Sequence, residues 1–80
     1  MLQADGAQLV LWERAGTLLA VPLEDVVEIA AVDTAGVARG RAGEVELLQV
    51  PGIAMGARPA RAVVVRRGER FGGLPADLVR

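Results

Sequence analysis

The feature that most limits what this chain can fold into is a pair of apolar runs joined by a short glycine turn. The first run is LVLWER at residues 9–14, the second is LLAV at 18–21, and AGT lies between them. Gly16 can adopt the positive φ that a tight turn needs. Because the connection is so short, the two runs must be antiparallel neighbours. The sequence therefore predicts a β-hairpin over residues 9–21.

Further short apolar runs follow, separated by glycine and proline. Residues 44–50 (EVELLQV) and 61–67 (RAVVVRR) predict a third and a fourth strand. The glycine-rich stretch 33–43 predicts a loop, PG at 51–52 ends the third strand, and residues 53–60 predict a short connector or a single turn. Gly68 and Glu69 are expected to turn the fourth strand back into RFGGL.

Residues 23–30 fit two kinds of structure. Leu23, Val26, Val27 and Ala30 would share one face of a helix, whereas residues 26–29 would also make a strand. We expect a single helical turn followed by a strand. Short strands at regular spacing with glycine turns and no long helix are typical of all-β domains. The size fits a small SH3-like barrel of five strands.

The residue types that are missing exclude most enzyme chemistry. The chain contains no Cys, His, Ser, Lys, Asn or Tyr. Thiolate, serine and Schiff-base nucleophiles, histidine acid–base pairs and zinc sites with Cys or His ligands are therefore excluded. The ten acidic residues are spread along the chain without the spacing of a metal-binding loop. We expect a protein that is not an enzyme and holds neither a metal nor a cofactor.

The charge balance and the hydropathy pattern bear on location and on partners. Nine arginines oppose ten acidic residues, for a net charge of −1. The chain therefore lacks the excess of basic residues that is typical of nucleic-acid-binding proteins. No apolar run approaches the roughly 20 residues that span a bilayer, and the N-terminus lacks a signal-peptide core. The absence of cysteine excludes a disulfide framework. These features predict a cytoplasmic protein that does not insert into a membrane.

The chain also contains an internal repeat. With a shift of 53 residues, LVLWERAGTLLAVPLEDV at 9–26 aligns without a gap to AVVVRRGERFGGLPADLV at 62–79. Pro22 then corresponds to Pro75, and each proline is followed by an acidic residue at the same offset. Any two hairpins share apolar arms and a glycine turn, but the shared proline favours a duplication. The repeat predicts two related hairpins.

The same motifs resemble the CheW-like domain, the coupling module of bacterial chemosensory arrays. Its first motif, an apolar strand, a glycine turn, a proline or similar residue and a V-x-E ending, resembles LVLWERAGTLLAVPLEDVVEI. Its central motif, G-V-x-N-L-R-G-x-x-V-P-V-V-D-L, is similar to GVARGRAGEVELLQV at residues 36–50. Its third motif, ending G-L-L-V-D-x-V, is similar to GGLPADLV. The chain departs from the central motif at four positions: Arg39, Ala42, Glu46 and Gln49.

The resemblance implies which residues contact a partner. In the family, the V-x-E pair and the G-x-x-x-x-R pair are associated with docking the tip of the receptor coiled coil. By position these residues are Val26, Glu28, Gly36 and Arg41. Val26 would supply an apolar contact, the two charges would fix register, and Gly36 would allow close approach of backbones. Read from the residues alone, Val26 also fits a core position, Glu28 and Arg41 fit solvated strand ends, and Gly36 fits a turn.

The resemblance further implies a non-enzymatic adaptor that binds a chemoreceptor tip, a CheA-type histidine kinase or both, in chemotaxis or twitching motility. It covers only part of a CheW-like domain, so we expect residues 1–60 to form a first barrel and 61–80 to form a hairpin that opens an incomplete second barrel. The edges left by the hairpin at 61–75 would need a cover, which predicts a homodimer. The alternative is a small structural assembly module of PRC or SH3-like type, without a signalling role.

Overall fold

A computed structural model describes residues 2–4, 7–41, 43–53 and 56–79. Nearly all of the regular structure is β, and the described residues include no α-helix, which confirms the all-β class. Only the short 3₁₀ turn η1, at Leu23–Asp25, is helical. The strands are β1 (Leu2–Ala4), β2 (Ala7–Arg14), β3 (Thr17–Pro22), β4 (Val26–Val32), β5 (Ala38–Gly40), β6 (Gly43–Val45), β7 (Arg61–Arg67), β8 (Arg70–Ala76) and β9 (Leu78–Val79).

The strands form two sheets. The larger sheet has the order β6-β5-β4-β7-β8, and every neighbouring pair in it is antiparallel. The smaller sheet has the order β1-β2-β3, and the short β9 pairs with β2 as well. The predicted fourth strand therefore lies inside the larger sheet, whereas the hairpin at residues 9–21 forms the body of the smaller one.

The larger sheet curls until its two ends meet. The Gly73 amide in β8 donates to the carbonyl of Glu46, and the Leu48 amide donates to the carbonyl of Gly73, both at 2.8 Å. The chain that follows β6 thus runs parallel to β8, with Leu47 opposite Gly73. These two hydrogen bonds give the five-stranded sheet the form of a small barrel.

Two apolar clusters hold the molecule together. The first lies on the inner face of the curled sheet and consists of Ala30, Val32, Ala38, Val45, Ala62 and Val64. The second, which joins the two sheets, is built on Trp12, Val63 and Ala76. Since Val63 and Val64 are both fully buried, β7 is covered on both faces. An uninterrupted valine run at the centre of a sheet is the expected result of such burial.

The two hairpins of the sequence repeat have the same register. Leu9 pairs with Pro22 in the first hairpin, and Ala62 pairs with Pro75 in the second. Both are closed by two-residue turns. The strand that follows each hairpin pairs with the first strand of the other, since Val26 lies opposite Val65 and Val79 lies opposite Trp12. The repeat is therefore matched by a reciprocal pairing between its two halves.

The division expected at residue 61 does not separate two barrels. The hairpin of β7 and β8 pairs with β4 and completes the larger sheet, while β1–β3 form the other sheet. Strand β7 is apolar on both faces, so it is buried by pairing with β4 and packing under Trp12 rather than by opening a second barrel. The outer edge of β8 is already paired with the segment around Leu47. The reason first given for a homodimer, an open edge on this hairpin, is therefore wrong.

Several local expectations can be compared with the structure. The helical turn followed by a strand over residues 23–30 is confirmed by η1 and β4. The expected loop at 33–43 contains β5 and the start of β6. The expected strand at 44–50 is shorter, because only Gly43–Val45 belongs to β6 before the chain crosses to β8. In the connector at 53–60, residues 54–55 lie outside the described part of the chain.

Candidate protein-binding site

Two of the four residues implied by the family resemblance meet at the edge of β4. The Arg41 amide donates a hydrogen bond of 2.9 Å to Glu28 Oε2. β4 pairs with β5 only at Ala31 and Val32. Beyond this pairing, the Glu28 carboxylate and not a backbone carbonyl of β4 accepts the Arg41 amide. It lies directly over Gly40, where a Cβ would come within 2.5 Å of Oε2. Glu28 is thereby held against the turn that carries Arg41.

Two exposed apolar side chains flank this charged pair. Val27 is 47% exposed and Ile29 is 42% exposed. Together with Glu28 and Arg41 they line a shallow groove, which we call the Glu28–Arg41 groove. An apolar contact area with an acid and a base beside it is a common arrangement for recognition of a protein partner, since the apolar part supplies affinity and the charges select register.

Val26 lies on the opposite side of the strand from Glu28. The pairing of β4 with β7 shifts between these two residues, so Val26 lies opposite Val65 and Glu28 lies opposite Val64. Val26 is half-buried and packs against the cluster between the two sheets. Without this β-bulge, residues two apart in a strand would share a face. The structure therefore places Val26 in the core, and Val27 and Ile29 provide the apolar surface beside Glu28.

Gly36 lies in the turn between β4 and β5. Its φ is +81°, a conformation that favours glycine, and its amide donates to the carbonyl of Asp33 at 3.0 Å. The Asp33 carboxylate accepts further hydrogen bonds from the amides of Ala35 and Val37, each at 2.9 Å. The Val37 amide, followed by the side chain of Arg39, holds the pKa of Asp33 below its usual value. Gly36 thus has a backbone role and does not line the Glu28–Arg41 groove.

A second concave region lies beside that turn. It is a cavity of about 340 Å³, lined by Gly36 and mainly by apolar side chains of the segment after β6, among them Leu47, Leu48, Val50 and Ile53. The guanidinium of Arg58 on its wall is already used, because Nη1 donates to the carbonyls of Val32 and Asp33 at 3.1 and 2.7 Å. Among the described residues, the charged side chains on its wall, Arg14 and Arg58, are both engaged in hydrogen bonds, so the lining is mainly apolar.

This cavity is not predictable from the local sequence pattern. The run LLQVPGI contains its apolar side chains, but alternation in EVELLQV indicates a strand, and residues 47–50 leave the sheet after the bridge to Gly73. Val27 and Ile29 were likewise missed as surface residues. No local signal marks them, because the side of β4 that stays exposed is decided by what covers the other side of the strand.

The described residues show no other chemical site. Within them no three acidic residues approach closely enough to hold a metal ion. The same part of the chain has no helix with the length and apolar character to cross a membrane.

No family model, no curated protein and no solved structure shows significant similarity to this chain. The resemblance to the CheW-like domain therefore stays a prediction from the sequence motifs.

Proposed function

We propose that this chain is a non-enzymatic adaptor of a bacterial chemosensory pathway that binds a chemoreceptor tip, a CheA-type kinase or both through the Glu28–Arg41 groove. The observation that supports this most directly is the 2.9 Å hydrogen bond between the Arg41 amide and Glu28. It joins two residues that the family resemblance assigns to the partner contact but that lie far apart in sequence.

The mechanism is scaffolding. The backbone amide of Arg41 holds the Glu28 carboxylate in place, and the exposed side chain of Arg41 lines the same groove as the exposed apolar side chains. A helical partner with apolar residues on one face and charges at its margin fits such a groove. Val27 and Ile29 supply the apolar contact that the sequence motif suggested for Val26.

One observation favours the alternative of a structural β-barrel module. Val26 packs in the core and Gly36 serves a turn, so only Glu28 and Arg41 of the four implied residues line the groove. A chain that has lost signalling contacts would show this pattern too. The two functions differ in one measurable property, which is binding to the chemosensory partners.

The test is calorimetric titration of the chain with a receptor cytoplasmic tip and, separately, with the kinase. Ile29→Asp and Glu28→Arg are each expected to weaken binding about tenfold or more, because they remove the apolar contact or reverse the charge. Phe71→Asp is the control for Ile29→Asp, since Phe71 is 45% exposed and lies outside the groove. Glu69→Arg, in the exposed turn after β7, makes the same charge change as Glu28→Arg.

Binding by the wild type and both controls, with loss in both groove variants, supports the adaptor function. Equal binding by all five proteins would overturn the assignment of the groove. Absence of binding by the wild type to either partner would favour the structural module.

A further inference from the structure

Strand β3 leaves one long edge of the smaller sheet without a neighbour. It pairs with β2 along Thr17–Pro22, and no described residue lies along its other side, which we call the β3 edge. The strand reads TLLAVP and carries no charge. Proteins usually protect such edges with charged side chains, bulges or a covering segment. The β3 edge has only Pro22 at its end.

Among the described residues, the other sheet edges are covered or short, including that of β6, which has only three residues. The edge of β8 is covered by the segment around Leu47, which pairs with Gly73. The part of β4 that extends beyond β5 carries a bulge and the carboxylate of Glu28. Strands β1 and β9 are only three and two residues long. The contrast singles out the β3 edge as a surface for strand pairing.

The turn before β3 determines which backbone groups face this edge. Ala15 and Gly16 have φ values of 52° and 79°, as in a type I′ turn of two residues. The flanking residues of such a turn form a hydrogen-bonded pair, and bonded and non-bonded pairs then alternate. The amides and carbonyls of Leu18 and Ala20 therefore point away from β2, towards the β3 edge.

The second hairpin of the repeat shows what this position can do. With the same register, Gly73 corresponds to Ala20. The outward amide and carbonyl of Gly73 are both paired, with Glu46 and Leu48, at 2.8 Å. The equivalent groups of Ala20 have no partner among the described residues. One copy of the repeat thus accepts a neighbouring strand at the position that the other copy leaves open.

We propose that the β3 edge pairs antiparallel with the β3 edge of a second copy of this chain, about a two-fold axis at Leu19. Leu18 of each copy then lies opposite Ala20 of the other, and each such pair exchanges both of its backbone hydrogen bonds. Pro22 has no N–H to donate, and this register does not require a hydrogen bond from it. The two smaller sheets become one continuous sheet.

Two properties of the edge and the small size of the chain favour a second copy as the occupant. The absence of charge means that two identical edges can approach without repulsion. The large side chain of Leu18, which is 58% exposed, would face the small side chain of Ala20, so the two pairs that flank the axis are not crowded. A chain of 80 residues hides only about 60% of the surface that its unfolded form exposes, so burial between copies adds stability.

The experiment is sedimentation velocity of the full chain over a concentration series. The wild type is expected to form a dimer, and Ala20→Pro and Leu18→Lys are each expected to raise the dimer dissociation constant about tenfold or more. Ala20→Pro removes an amide that β2 does not use, so the hairpin should persist as it does at Pro22. Fluorescence of the buried Trp12 checks that each variant is folded.

The matched control is Leu78→Lys. Leu78 is 53% exposed and belongs to the same sheet, but it lies on β9, away from the β3 edge. The dimer should persist in this variant. In hydrogen exchange, the amides of Leu18 and Ala20 should become protected only as concentration rises, whereas those of Leu19 and Val21, bonded to β2, should be protected throughout.

A wild type that is monomeric at high micromolar concentration would overturn the proposal. It would also be overturned by a dimer that persists in both β3 variants, or by dissociation of Leu78→Lys to the same extent, which would indicate packing through the sheet face. The proposal does not depend on the adaptor function, because receptor binding by a monomeric β3 variant tests the Glu28–Arg41 groove separately.

Discussion

At the scale of single residues, the most demanding interaction is that of Arg14. Its side chain is only 6% exposed, and Nη1 donates to Asp77 Oδ1 at 2.8 Å while Nη2 donates to the Ala57 carbonyl at 2.7 Å. The Asp77 carboxylate also accepts the amide of Ala15 at 2.9 Å. A buried guanidinium is costly unless its charge is paired, and here Asp77 supplies the opposite charge. Asp77 therefore fastens the end of the second repeat copy to the turn of the first.

This contact predicts a pH dependence. The amide of Ala15, and next the side chain of Arg14, hold the pKa of Asp77 below its usual value. A carboxyl group with a lowered pKa in the folded state stabilises the protein above its unfolded pKa of about 3.9, and this contribution is lost as the pH falls through the folded pKa. Asp77→Asn should cost about 1 kcal/mol at pH 7, a modest value because Asp77 is 46% exposed.

Urea unfolding at pH 7 and at several values below pH 4 measures this effect. The difference between the wild type and Asp77→Asn should shrink in acid. Glu24→Gln is the control, because Glu24 occupies the position of Asp77 in the first repeat copy and is exposed. A constant difference across the pH range would contradict the assigned role of the carboxylate.

At the scale of elements, the closing of the barrel depends on glycine at position 73. A Cβ there would lie 3.3 Å from Ala62 Cβ and 3.3 Å from Leu47 Cδ2. The absence of a side chain lets the segment around Leu47 come close enough to pair with β8. In the first hairpin the corresponding residue is Ala20, which is exposed and has no covering segment among the described residues. Of two hairpins with the same register, one is thus covered along its outer edge by the segment around Leu47, and the other, within the described chain, is not.

Gly73→Val tests this difference between the hairpins. The added carbons enter a buried, close-packed position, so unfolding free energy should fall by about 1–3 kcal/mol. Ala20→Val, at the equivalent exposed position, should change stability by less than about 0.5 kcal/mol. Chemical denaturation at low protein concentration gives both values. Equal losses in the two variants would show that the segment around Leu47 does not close the barrel.

At the scale of the whole molecule, the two sheets share one core. Trp12 of the smaller sheet is 3% exposed and packs on Val63 and Ala76 of the larger sheet, and its Nε1 donates to the Pro75 carbonyl at 3.1 Å. The reciprocal pairing of Val26 with Val65 and of Val79 with Trp12 further joins them. The second apolar cluster is completed only when both sheets are present, so we regard them as one folding unit.

Unfolding should therefore be a single cooperative transition. Trp12 is the only tryptophan, so its fluorescence reports the contact between the sheets, whereas far-UV circular dichroism reports both sheets together. The two curves should coincide. In Val63→Ala, both midpoints should move together, by an amount that corresponds to about 2 kcal/mol. Separate midpoints for the two probes would show that the sheets unfold independently.

Much of the local structure could be predicted from the sequence. The hairpins, the helical turn before β4 and the apolar strand β7 follow from apolar runs, glycine turns and proline, which act over a few residues. The candidate site was predicted only in part. Glu28 and Arg41 do meet, but the position of Val26 depends on a bulge created by a partner strand distant in sequence. The positive φ of Ala15 was also not predictable, because the hairpin and Asp77 impose it on a residue that rarely adopts it.

The sequence by itself determined the all-β class, the two hairpins with their shared register, and the absence of the reagents that most enzymes need. These properties depend on residue type and on short-range spacing. Only the tertiary structure decided that β7 and β8 complete the larger sheet, that Val26 faces the core, and that the β3 edge is left open. Those outcomes depend on which strands pair, and that choice is made by burying apolar faces between segments that the sequence keeps far apart.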